Sequence, residues 1–115
     1  MELEERLKKV EYHQKLLLKM LRGSQFPVYE IVINKDLTED EVDDIFKLCE
    51  ELNCLYEQQK EEGFVHFIPL LTKFVGLLNH KISAEEMIDA LIGQKLYLPL
   101  MMELRKSLND VREEH

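Results

Sequence analysis

The chain has 115 residues, 45% of them apolar, with four Gly, three Pro and a formal net charge of −8. That length supports one domain with a real core, and the composition excludes a disordered or sandwich-type chain in favour of a mostly helical one. Residues 39–62 hold ten acids and two lysines, while the remainder balances at thirteen of each sign; with no clustered positive charge, nucleic acid and anionic membrane are excluded as partners.

The first predicted helix covers residues 2–21 and changes character halfway. Leu3, Leu7, Val10, Gln14, Leu17 and Leu21 alternate spacings of four and three, which is an a/d seam with one polar position. Up to Val10 the seam is narrow and flanked by charge, as suits a helix that touches a single partner. From Leu16 onward LLLKML is apolar almost all round, and enclosure is expected. Gly23 is the expected left-handed stop, with Ser24 and Gln25 making the turn.

FPVYEIVIN (26–34) has strand-like β-branched residues, yet no second strand exists for it to pair with. The spacing and Pro27 predict a short buried helix whose first turn loses nothing by the missing N–H. An extended segment is the alternative.

The stretch from Thr38 to Gly63 predicts one long central helix. Thr38 with Glu41 forms a capping box, Leu37 and Val42 supply the staple, acids crowd the first turns, and Gly63 ends it. Val42, Ile45, Phe46, Leu48, Cys49, Leu52, Leu55 and Tyr56 fill an arc of about 180°, wider than one helix contact needs. At roughly 37 Å it would span a body about 35 Å across. Cys49 and Cys54 lie about 140° apart on this helix, so they neither bridge nor share a metal; both are expected reduced, Cys49 as a small buried hydrophobe.

FVHFIPLLTKFVGLLNHKIS carries Pro69 in a first turn and Leu70, Leu71, Phe74, Val75, Leu77 and Leu78 in what reads as a core helix. Ser83 and Glu86 form a second expected capping box, with Ile82 and Met87 as its staple, opening a helix that carries Ile88, Leu91 and Ile92 and loosens at Gly93 and Gln94. The last helix starts at Tyr97 or Leu98, presents Leu100, Met101, Leu104, Leu108 and Val111, and frays over REEH. An echo at an offset of 45 relates Asn34, Leu37, Thr38, Glu41, Val42, Asp44 and Phe46 to Asn79, Ile82, Ser83, Glu86, Met87, Asp89 and Leu91. Any loop leading into a capped helix would produce such an echo.

No pattern compels a particular chemistry. LTEDEVDDIF has no calcium loop beside it, because no D-x-[DN]-x-[DN]-G run with a closing Glu occurs. His13, His66, His80 and His115 are scattered, and none shares a helix face with another His or a Cys at three or four residues' spacing. There is no phosphate loop, G-x-S-x-G elbow or H-E-x-x-H. Asp40 with Asp44, and Glu57 with Glu61, share faces but read as exposed like charges. Met101 and Met102 suit either a core or an adaptable binding surface. MELEERLKK lacks the apolar run of a signal peptide, and the longest apolar run, Leu96 to Met102, falls far short of a membrane span, so a cytoplasmic protein is expected.

ERLKKVEYHQKLLLK, FPVYEIVINKDLTEDEV, QQKEEGFVHFIPLLTKFVGLLNHKIS and ALIGQKLYLPLMMEL together resemble the YhaI-like family of small proteins of bacilli. The likeness runs from about Arg6 to Leu108, with Pro99 a departure from the family pattern. It implies an all-helical fold intertwined into a homo-oligomer, a trimer, and carries no activity, cofactor or catalytic residue with it.

The sequence therefore predicts an all-α, multihelical single domain of five to six helices around one long central helix, intertwined as a homo-oligomer, with no cofactor, metal or catalytic residue. The oligomer interface is placed on Leu3, Leu7, Val10, Gln14, Leu17 and Leu21. The expected function is a non-enzymatic oligomeric interaction or scaffold protein, with itself and another protein as partners. The alternative is a small-molecule binder or enzyme whose pocket forms between subunits, with His66, His80 or acids of the long helix contributing.

Overall fold

The segment with the most strand-like composition folds as a helix. In the computed structural model, which describes residues 2–22 and 25–113, the elements are α1 (Glu2–Leu21), α2 (Pro27–Asn34), α3 (Glu39–Glu62), α4 (Phe67–Leu77), α5 (Ala84–Gly93) and α6 (Leu98–Glu113). Pro27 opens α2, and Val28 and Ile31 are buried. The backbone N–H of Val28 donates to the Gln94 side-chain oxygen at 2.6 Å. Gly93 sits beside Pro27, whose Cγ would stand 3.0 Å from any added Cβ. The α5 end is thus held against α2, where the sequence predicts a loose end.

Each helix boundary has a local cause. Thr38 Oγ1 accepts from the Glu41 N–H at 3.1 Å, and the Glu41 carboxylate returns to the Thr38 N–H at 3.0 Å. Ser83 accepts from the Glu86 N–H at 3.1 Å. The expected second box is only half made, since Glu86 Oε2 lies 3.9 Å from Lys35 Nζ. Helices α2, α3 and α5 all end in the same paired pattern of backbone bonds, with Asp36, Gly63 and Lys95 in the left-handed region at φ of 53°, 95° and 59°. Gly63 was legible from sequence, whereas Lys95 carries no such signal because residues with a Cβ rarely adopt that backbone.

Contact between helices is spread rather than gathered on one of them. α6 lies against α5 and α4, α2 against α5, and α3 against α4. Ile45, Leu48, Cys49, Leu52 and Tyr56 of α3 meet Leu70, Leu71, Phe74, Met87, Ile88, Leu91, Leu100, Met101 and Leu104 in one core. Met101 is core, and Met102 is exposed. α4 is a core helix on one face only: Ile68, Val75 and Leu77 point outward.

α1 stands apart from this core and adjoins α2. The molecule measures 62 × 26 × 25 Å with a radius of gyration of 17.2 Å, against about 13 Å for a compact chain of this length. The expected enclosure of LLLKML does not occur within one chain: Leu16, Leu17 and Met20 are exposed and Leu18 is half-buried. Too little of the fold reaches α1 to cover it. The expected stop at Gly23, the turn at Ser24, the side chain of Leu21 and His115 lie outside the described residues.

Candidate functional site

The heptad pattern of α1 places Leu3, Leu7, Val10 and Leu17 along one stripe, and these keep 69, 52, 59 and 56% of their surface exposed. Gln14 is exposed as well and lines a shallow hollow with Glu11, Lys15, Leu18, Ile33 and Asn34, where α1 meets α2. Arg6 pairs within its own helix with Glu2 at 3.4 Å, both side chains exposed. Such a pair contributes about 0–1 kcal/mol and holds Arg6 weakly. This apolar stripe, on a helix with few neighbours, is left uncovered by the described residues.

The second feature is the open side of α3. Two adjoining hollows of about 470 and 480 Å³ share Glu50 and Glu51; the first is lined also by Asp43, Phe46, Lys47 and Tyr97, the second by Cys54, Leu55, Gln58 and Lys73. Tyr97 reaches the first hollow from the turn before α6, with φ of 50°. Its hydroxyl donates to Glu50 Oε1 at 2.8 Å, and desolvation, followed by that bond and the nearby charge, pushes its pKa up. Nothing in the sequence marks Tyr97, because neither its backbone nor its partner 47 residues away follows a local pattern. Cys49 is fully buried on the other side of α3, where desolvation pushes its thiol up to about 12. It behaves as a hydrophobe, and Cys54 is exposed.

The echo between residues 34–46 and 79–91 becomes a contact. Glu41 Oε2 accepts from Asn79 Nδ2 at 2.7 Å and Glu41 Oε1 from Lys81 Nζ at 3.0 Å, while Glu86 of the second copy of the pattern faces Lys35 of the first. The Thr38 backbone bond, then Asn79 and Lys81, hold the Glu41 carboxyl at about 2, well below its ordinary 4.5. Arg105 of α6 similarly ties α5, reaching Glu85 at 3.1 Å and Asp89 at 3.2 Å, with Arg112 at 2.6 Å from Glu85. These clusters join helices to one another and leave their carboxylates engaged by neighbouring donors, which suits support.

His66 precedes α4 and His80 follows it, so about 16 Å of helix separates them. A single chain does not bring them together; His66 instead sits against the Phe64 ring at 4.8 Å. Among the described residues no three of His, Cys, Asp and Glu converge on a point where a metal ion could sit. No described helix is long and apolar enough to cross a membrane. Compared with known families, residues 1–109 match the model of a family described as Protein of unknown function (DUF1878).

Proposed function

The chain belongs to the DUF1878 family of proteins of unknown function, and from that premise we propose that it is a non-enzymatic cytoplasmic protein that acts by associating, with its own copies and through them with a protein partner. The interface between copies is the α1 seam of Leu3, Leu7, Val10, Gln14, Leu17 and Leu21. The observation that carries this reading is the exposure of that stripe on a helix leaning away from the core. Covering one leucine or valine is worth about 1.5–3 kcal/mol, so four such side chains outweigh any surface ion pair at about 0–1 kcal/mol. A single glutamine in the seam is the device that selects register at some expense of stability. The likeness to YhaI-like proteins supports a trimer. The acid excess on α3 supports a protein partner over nucleic acid or an anionic membrane.

Sedimentation velocity tests the reading. The wild type is expected to run well above the 13.7 kDa of one chain, and Leu7→Glu with Val10→Glu to shift it to monomer. A wild type that is monomeric at every concentration overturns the proposal, and an oligomer indifferent to the double change removes the interface from this seam.

A further inference from the structure

α1 carries a second apolar stripe that the heptad does not use. Tyr12, Leu16 and Met20 recur at spacings of four on the side away from the seam, and all three are exposed, Met20 at 75%. Lys8, Lys15 and Lys19 run along one flank of this stripe, and none of the three has a carboxylate within ion-pair distance among the described residues. From Tyr12 to Leu21 the helix has bases and no acid, and Arg22 follows it. A covering surface would therefore need apolar walls with uncompensated negative charge.

The hollows along α3 have both. Phe46, Leu55 and Tyr97 provide apolar wall, and Asp43 and Glu50 have no basic partner within ion-pair distance among the described residues; of the other charges there, Glu51 stands 4.0 Å from Lys73, and Lys47 lies beside them. The hollows extend along α3 from Asp43 to Gln58, about 22 Å, and the stripe from Tyr12 to Met20 occupies about 12 Å. Other open surfaces fit less well. The outward face of α4 is apolar, but that helix has no acid and carries Lys73. The hollow between α2 and α5 contains Glu30, Glu86 and Asp89, of which Glu86 and Asp89 already face Lys35 and Arg105, and it has no aromatic wall.

We infer that the α3 hollows of one copy receive the lysine-flanked Tyr12–Leu16–Met20 stripe of a second copy. This rests on the self-association proposed above and adds to it: the seam joins α1 helices to one another, and the second stripe docks each joined helix onto a neighbouring body. Opposite charges arranged across such a contact set which surfaces meet and how fast.

Charge exchange between full-length variants tests it. One variant carries Lys15→Glu with Lys19→Glu, the other Asp43→Lys with Glu51→Lys, all at exposed positions. Each alone is expected to associate at least tenfold more weakly than wild type by sedimentation, and an equimolar mixture to recover mass above that of either variant alone, because in mixed assemblies altered helices meet altered grooves. Should the α3 reversal lower the helical content by circular dichroism, Asp43→Asn with Glu51→Gln replaces it, with an expected loss of about threefold. A wild-type oligomer with both variants unaffected, or a mixture that fails to recover, overturns the docking while leaving the seam intact. A monomeric wild type overturns both.

Discussion

At Glu41 one carboxylate serves its own helix and a distant loop at the same time. Its bond to the Thr38 N–H closes the capping box, and its remaining capacity is taken by Asn79 and Lys81 across the fold. All three partners favour the charged form. With a folded pKa of about 2 against an ordinary 4.5, the group binds fewer protons folded than unfolded. Its contribution to stability is therefore present above about pH 4.5 and lost as pH falls towards 2. Glu41→Gln is expected to flatten the fall in denaturant midpoint between pH 5 and pH 2 relative to wild type. Parallel slopes for the two proteins would mean that the carboxylate is not held as described. The capping box was legible in Thr38 and Glu41, because its bonds span three residues; Asn79 and Lys81 were not, being 38 and 40 residues away.

At the scale of elements, three helices end in one backbone pattern and only one of them has glycine in its left-handed position. Lys95 and Asp36 hold the left-handed position that Gly63 holds for α3. For a residue with a Cβ that conformation costs about 1–2 kcal/mol, offset in a glycine by the greater freedom of its unfolded state. Lys95→Gly is accordingly expected to stabilise the protein by about 0.5–1 kcal/mol, with Lys95→Ala giving no comparable gain. Urea midpoints of the two variants check this, and equal midpoints would reject it. The same scale explains the misread end of α5. Gly93 and Gln94 look like a fraying terminus in sequence, yet Gly93 leaves room for Pro27 and Gln94 caps the Val28 N–H. These are contacts between helices more than sixty residues apart, invisible to any local pattern. The echo between the two capped helices belongs here as well, since the similar loops face each other through Glu41 and Glu86.

Over the whole molecule, the long dimension comes from α1, which leans on α2 and leaves its apolar stripes in water. The core drawn from α2 to α6 is closed without it. Removing residues 2–22 is therefore expected to leave a folded monomer that melts cooperatively, with the far-UV circular dichroism of the remaining helices retained. Loss of cooperative melting in that shortened protein would show that α1 is part of the folding unit.

Residue order alone was enough for the helical class, the Thr38 cap, the Gly63 stop and most of the apolar face of α3, because each depends on residues within one or two turns, and it favoured a helix over an extended segment at Pro27–Asn34 without deciding between them. The α1 seam was equally legible as a period. What covers a period is a different matter: LLLKML and the outer face of α4 read as buried from their hydropathy, and only the tertiary structure placed Leu17, Met20, Val75 and Leu77 in solvent. Hydropathy records what a side chain would gain by burial, whereas exposure depends on whether another segment arrives there. The sites of Tyr97, Gln94, Asn79 and Arg105 were settled in the same way, by which helices meet, since each bonds to a group that chain folding alone brings within 3.2 Å.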